Sequence, residues 1–511
     1  MKVIIIGSGI AGLTVGAYLA REGYKVIVYE QFSEIGGVTA TITQNGYSWD
    51  IGPLLLEGLA PHEKLGKILM ELEIENKIEI IKEDRGQSFP DFCVWKPEKY
   101  QGAYWRREYF KEIFPEESEG LDNYYKFYDQ MMAIADLGNQ LPFLKGLKVL
   151  VTKLKLLLKF QKVKKFKNWS ATQITDHFFK NQKLKAVYLG ILADMVVKPS
   201  EFFGLGVPFF NVETAFDKRI PVKFKGGKLP VYHYIKNGCG ELVKALAEVI
   251  TQNGGKIYTN SKVQKIVIKD NQVGGVQIEN GDIIDTDIVI ASGCMFNTFY
   301  NLVGKDYLPE DFINNIEKIT LMESVFMVHL GIDFNPSRFQ RAALCYYYLT
   351  YDIEGAIKEI REGHYHEGAD GFLIYIPSMH SPEMAPPRKH AVTIYTVAPH
   401  RLKEGSWNDR REEFADKLIL EAEKIIPGLY EGAETRLIMT PDDFKDRINV
   451  IRHSFGGTAP VLGQVNPPHK TPIDGLWYIG AYSESGGGVM GVALGARNVA
   501  KKIIKKKKIV I

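Results

Sequence analysis

Apolar residues come in blocks at the start of this chain. Lys2-Val-Ile-Ile-Ile6 is a short run, apolar from Val3 on, of the kind carried by a strand buried on both faces. A helical period follows from Ile10 to about Glu22, and Lys25-Val-Ile-Val-Tyr29 makes a second apolar strand ending in Glu30. Between about 60 and 219 the spacing predicts long helices rich in aromatic residues and lysine. The opening pattern returns after Gly226-Gly227 and Gly238-Cys239-Gly240. A helix is predicted over 241–252, then strand-length runs at 261–268, 273–278 and 286–291, parted by Gly, Asn and Asp. These read as a β-meander and a return strand. A second mixed region, about 294–448, predicts strands at 324–330, 371–376 and 391–397, and a helix over 409–426 stopped by Pro427-Gly428. The chain closes on a strand within 475–480 and a glycine-rich turn leading into a helix over 489–504.

This order implies an interleaved α/β architecture. A Rossmann-like nucleotide domain is expected from 1–60, 220–293 and 449–511, with an α+β substrate domain inserted as 61–219 and 294–448. At 511 residues the chain is long enough for each part to bury its own core.

The chemistry sits at the junctions. Gly7-Ser8-Gly9-Ile10-Ala11-Gly12 joins the first strand to the first helix. Gly7 allows the tight turn, Gly9 lets a pyrophosphate approach the backbone, and Gly12 lets helix and strand pack closely. The free amides of the helix start and its positive dipole end suit phosphate. Glu30 is placed to accept from a ribose 2′-hydroxyl, so the nucleotide is FAD or NAD and not NADP. Gly36-Gly37-Val38 permits a turn against a ligand, and Asp50-Ile51-Gly52-Pro53 is a rigid strand-to-loop junction.

The net charge of +3 is too small to indicate a nucleic-acid partner, and no recognised RNA or DNA motif is present. Cys93, Cys239, Cys294 and Cys345 lie far apart, which argues for a reducing compartment without a disulfide framework or zinc site. The eleven histidines show no ligand spacing, so no metal is expected. A fingerprint beside Met1 leaves no room for a signal peptide, and no run of 18 uncharged apolar residues occurs. A cytoplasmic protein is expected. Charge is uneven, however: residues 142–167 hold nine lysines and no acid. On a helical wheel Leu147, Leu150, Val151, Leu154, Leu157 and Leu158 share one arc, with Lys145, Lys148, Lys155, Lys159 and Lys162 beside it. Such a helix either packs its leucines as core or lays them on an anionic membrane surface, here the inner face.

Taken together, the chain resembles flavin-dependent oxidoreductases of the glutathione-reductase-like fold, within the amine-oxidase superfamily, in the branch of phytoene desaturases, carotenoid isomerases and retinol saturases. The matching residues are Gly7-x-Gly9-x-x-Gly12, Glu30, Gly36-Gly37, Asp50-x-Gly52-Pro53, Gly254-Gly255 through Val263, and Gly475-Leu476-x-x-x-Gly480 through Gly486-Gly487-Gly488-x-x-Gly491. The resemblance implies FAD as cofactor, with Val263 contacting the adenine through its backbone. It also sets Gly480, Gly488, Val489 and Met490 about the isoalloxazine. The substrate it implies is an apolar isoprenoid, desaturated by hydride transfer to flavin; isomerisation and saturation are reactions of the same branch. Three positions depart from the family pattern: Val38 replaces an arginine, Glu484-Ser485 a His-Pro pair, and Met490 a proline. Glu57, Tyr482, Glu484 and His453 flank cofactor-facing segments and are candidates for handling a proton, though the sequence singles out none of them as catalytic. A redox cysteine pair and a second complete dinucleotide fingerprint are both missing, which excludes disulfide reductases. Flavin amine oxidases remain an alternative, as do prenyl-lipid binders resembling Rab GDP-dissociation inhibitors, which hold no flavin.

Overall fold

The computed structural model describes residues 1–224, 226–450 and 456–510, with 193–194 and 507–510 as backbone only. Its first layer is a parallel sheet of five strands in the order Lys256–Tyr258, Lys25–Tyr29, Lys2–Ile6, Val289–Ser292, Leu476–Ile479. The pairing is in register from Lys2↔Lys25 on one side and Ile4↔Val289 on the other. The apolar blocks are explained by cover on both faces. Helices Ile10–Arg21, Gly240–Gln252 and Val489–Val510 pack on one face. The antiparallel trio Val263–Lys269, Gln272–Ile278 and Ile283–Asp285 packs on the other. Helix Ile10–Arg21 is buried from Ile10 through Ala20. That closeness needs Gly16, where a Cβ would stand 2.8 Å from Ile250 Cδ1.

The second layer is a mixed seven-stranded sheet, ordered Ala433–Met439, Ser324–Ile332, His390–Ala398, Gly371–Tyr375, Leu344–Tyr348, Arg85–Ser88, Cys93–Val94. Helix Trp407–Glu423 covers one face through Phe414, Leu418 and Ala422. The other face meets helices drawn from residues 105–210, in a core dense in tyrosine and phenylalanine.

Three central strands and the long helix of this layer fall where the hydrophobic period set them. The expectation of long helices over about 60–219 missed three strands, Ile80–Lys82, Arg85–Ser88 and Cys93–Val94. The periodic signal failed because Arg85 and Gln87, which face inward, are polar. Arg85 is tolerated there because Nε and Nη2 donate to Glu83 at 2.6 and 2.7 Å, while its guanidinium lies 5.0 Å from the Tyr232 ring.

A short sheet, Leu56–Glu57, Tyr232–Ile235 and Ile80–Lys82, forms the seam between the layers. Leu56 and Ile235 belong to the nucleotide-side core, and Tyr232 and Tyr234 to the aromatic core. Helix Leu147–Val163 does not pack its leucines as core. Thr152 and Val163 face inward, while the leucine arc lies on the surface, from 44% exposed at Val151 to 74% at Leu147.

Glu63 precedes helix Lys64–Leu72 and is buried, accepting from Ala60 N at 3.3 Å and Val231 N at 3.4 Å. Burial, reinforced by nearby Glu57, pushes its carboxyl up from 4.5 to about 8. The folded chain therefore binds the extra proton between those values, and the stability it confers is lost as pH rises from 4.5 toward 8. Glu63→Gln removes this titration. Thermal melts across that range are expected to lose a pH-dependent decline on the order of 2–4 kcal/mol. An unchanged slope would contradict the burial argument.

Candidate functional site

In parallel sheets of this kind ligands bind outside the C-terminal strand ends, and Gly7 follows directly on the end of strand Lys2–Ile6. Gly7 turns there with φ +94°, and a Cβ on it would stand 3.0 Å from the Ser292 carbonyl oxygen. Gly12 closes the turn against the backbone, since a Cβ would lie 2.1 Å from the Gly7 oxygen. By contrast a Cβ on Gly9 would meet nothing within 4 Å. Gly9 is also the N-cap of helix Ile10–Arg21, and no side chain caps that helix. Its first amides are thus left for an outside acceptor beside open space.

Glu30 ends the neighbouring strand and is buried. Its Oε2 accepts from Ser8 N at 2.8 Å and Ser8 Oγ at 2.7 Å, and its Oε1 accepts from Phe32 N at 2.9 Å. The carboxylate therefore braces the glycine turn. Each oxygen accepts two or fewer protein donors, which leaves acceptor capacity for a ligand hydroxyl. The paired glycines cross over this turn: Gly36 N donates to Ser8 O at 3.0 Å, and Gly36 and Gly37 both have positive φ. Val38 and Gly52 meet backbone to backbone, since a Cβ on Gly52 would stand 2.0 Å from Val38 O. Val263 is buried next to Tyr29, just past Ser261, whose amide donates to Glu30 O at 2.8 Å.

Asp50 works as a staple. It accepts from Thr41 Oγ1 at 2.6 Å and Cys239 N at 2.8 Å, and Thr41 Oγ1 accepts in turn from Gly240 N at 2.9 Å. The loop through Gly52-Pro53 is thereby fixed to the start of helix Gly240–Gln252, and Cys239 Sγ donates to Pro53 O at 3.2 Å. Burial raises the Asp50 carboxyl to about 6.

The far wall is the glycine-rich turn at 486–488. Gly480 and Gly488 both turn with positive φ. Met490 packs across the seam, where a Cβ on Gly58 would lie 2.4 Å from its Sδ. Beside it, Glu57 approaches Gly488 so closely that a Cβ there would be 3.0 Å from Glu57 Oε1. Tyr232 Oη reaches Glu57 Oε2 at 3.5 Å, and its ring lies against Arg85. Burial raises the Glu57 carboxyl, offset in part by Lys64 and Tyr232.

The three proton-handling candidates among the described residues do not converge. Glu57 stands at the turn. Tyr482 is packed in the core under the sheet. Glu484 is tied to a loop, accepting from His469 N at 3.0 Å. His453 lies outside the described residues. Sequence reasoning missed Arg447, whose Nε donates to Gly37 O at 2.8 Å and whose guanidinium stacks on Phe32 at 4.5 Å. A cation thus reaches the paired-glycine turn that Val38 cannot supply. Among the described residues there is no metal-binding cluster, all four cysteines are free, and no helix is long and apolar enough to cross a membrane.

Known proteins are similar to this chain in sequence and in fold. A lycopene-forming phytoene desaturase of Pseudescherichia vulneris is 24% identical over 518 residues, covering 99% of both chains. A chloroplastic prolycopene isomerase 1 of an Oncidium hybrid cultivar is 25% identical over 522 residues, covering 98% of this chain and 83% of the relative. Among solved structures, an oxidoreductase from Methanosarcina mazei has a TM-score of 0.60 at 20% identity, over 98% of this chain and 100% of its own. A putrescine oxidase triple mutant has a TM-score of 0.61 at 13% identity, over 99% of both chains. The family described as flavin containing amine oxidoreductase matches residues 10–504, so this chain belongs to that family and is an FAD-dependent oxidoreductase.

Proposed function

We propose that the protein oxidises an apolar isoprenoid, a carotenoid, retinoid or polyprenyl lipid, forming a C=C bond at the expense of bound FAD. The observation that carries the cofactor's placement is the uncapped first turn of helix Ile10–Arg21, open at Gly9 and flanked by buried Glu30. The amides from Gly9 to Gly12 would take the pyrophosphate, Ser8 would hold Glu30 against the turn, and Glu30 would take the ribose. Gly36, Gly37, Val38, Gly52 and Pro53 would line the crevice, and Val263 would lie along the adenine. Gly480, Gly488, Val489 and Met490 would border the ring system. In this reading 1–60, 220–293 and 449–511 form the FAD unit, while 61–219 and 294–448 hold substrate.

When bound, FAD supplies the hydride acceptor. The protein must then take the proton, and Glu57 Oε1 is the titratable atom set at the Gly488 turn. A raised carboxyl suits that task, because a base is most effective when its pKa approaches the working pH. The aromatic core beyond the seam excludes water from the reacting carbons. Support for the isoprenoid comes from the relatives, whose names are a phytoene desaturase and prolycopene isomerases. A substrate of that kind dissolves in membranes. The exposed leucine arc of Leu147–Val163, rimmed by lysines, fits a peripheral site on an anionic surface, the cytoplasmic face in this reading.

Three outcomes test this. In an anaerobic absorbance assay with polyprenoids in liposomes, one of them is expected to bleach the flavin band; recovery of a pre-reduced band would instead mean saturation. Glu30→Gln is expected to weaken FAD binding about 10- to 100-fold in reconstitution titrations, by removing the charge that accepts at the ribose. Glu57→Gln should retain FAD yet lose roughly 10²- to 10⁴-fold in turnover, along with the rise of rate with pH through the raised carboxyl pKa. A pH–rate profile matching the unaltered enzyme would remove Glu57 from the proton path.

A further inference from the structure

The lysine-rich helix ends beside a cavity of about 430 Å³. It lies between helix Ser118–Gln140, the turn Lys164–Phe166 and helix Ala171–Phe178. Its floor is aromatic, with the Phe127 ring 5.1 Å from Phe166 and 5.5 Å from Phe178. Its rim carries Lys126, Lys162, Lys165 and His177, and no carboxylate lines it. Elsewhere the acids of these helices pair with lysines of neighbouring ones: Asp122 with Lys111 at 2.7 Å, and Asp176 with Lys185 at 2.6 Å. The rim lysines form no ion pair among the described residues. Lys126 donates only to the neutral Asn123 Oδ1 at 3.0 Å, and Lys165 lies 3.5 Å from His177 Nε2. Three ammonium groups around one cavity repel one another unless an anion joins them. The Gln130 side-chain oxygen is buried at the same cavity and accepts no hydrogen bond, so a hydroxyl donor is also wanted.

Position decides which anion. Lys162 follows Leu158 by one turn, about 6 Å along the helix and about 40° around it, so the cavity opens beside the end of the leucine arc. If those leucines enter a bilayer by the usual 5–10 Å, roughly the depth of the acyl boundary, the rim lies at the phosphate level.

We propose that this cavity binds the phosphodiester of an anionic lipid whose headgroup also carries a hydroxyl, as in phosphatidylglycerol. The phosphate is held by Lys126, Lys162 and Lys165, the hydroxyl donates to Gln130, and the apolar stem rests on Phe127, Phe166 and Phe178. The inference rests on the reading of Leu147–Val163 as membrane-facing. Its consequence is a fixed orientation of the enzyme on the membrane.

The test is cosedimentation of the holoenzyme with phosphatidylcholine vesicles, with and without phosphatidylglycerol. Two variants lose the same charge: Lys126→Gln/Lys162→Gln/Lys165→Gln at the cavity, and Lys148→Gln/Lys153→Gln/Lys155→Gln farther along the helix. Retained flavin absorbance shows that each is folded. The cavity variant is expected to lose at least about tenfold more affinity for the phosphatidylglycerol vesicles than the control, because general attraction weakens equally in both. Gln130→Leu should reduce the preference for phosphatidylglycerol over phosphatidic acid. Glycerol phosphate added without vesicles should shift the His177 ring resonances only weakly. Equal losses in the two lysine variants would overturn the site while leaving the membrane reading intact. Tight saturation by free glycerol phosphate, without a difference on vesicles, would overturn the lipid assignment. Failure of the unaltered protein to bind either vesicle would overturn the membrane reading and the proposal together.

Discussion

The close approach of helix Ile10–Arg21 to the Gly7 carbonyl constrains everything around it. No side chain fits between them, because a single methyl at Gly12 would overlap that oxygen. The contact brings the helix start over the strand ends, where its amides face open space rather than a capping side chain. Glu30 then braces the turn through Ser8, and the paired glycines can cross above it. Remove the tight contact and the strand ends, the uncapped helix start and the second turn lose their common geometry.

Such local features were legible because their constraints lie within about thirty residues of chain. A strand, a glycine turn, a helix and an acid-terminated strand leave one pattern. The site's other wall depends on long-range contacts, which leave none. Arg447 reaches Gly37 from 410 residues away, and nothing in its own surroundings marks it. Glu57 was one candidate among four, and only its approach to Gly488 separates it from Tyr482 and Glu484. The strand Arg85–Ser88 escaped because a buried ion pair and a ring stack stand where apolar side chains would have signalled burial. The leucine helix failed for the opposite reason. Its periodicity is equally good whether the face is core or surface, so only the packing of Thr152 and Val163 decides.

The seam explains how one chain can hold two different interiors. Leu56–Glu57 and Tyr232–Ile235 alternate side chains between the aliphatic nucleotide-side core and the aromatic core beyond. A group on this seam, such as Glu57, lies between the Gly488 turn and Tyr232 of the aromatic core. That is a poor place for a permanent charge and a suitable one for a proton that comes and goes.

The parallel sheet also bears on how the protein is made. Its strands come from residues 2–6, 25–29, 256–258, 289–292 and 476–479, so the outermost partner of Val289–Ser292 is made long after it. Through most of synthesis the nascent chain carries an unpaired, apolar strand edge, the kind of surface that recruits other strands. The turn at 486–488 arrives later still. A chain cut before Leu476 would lack both this edge strand and the 486–488 turn. Holding that edge safe until the end is a natural task for a chaperone.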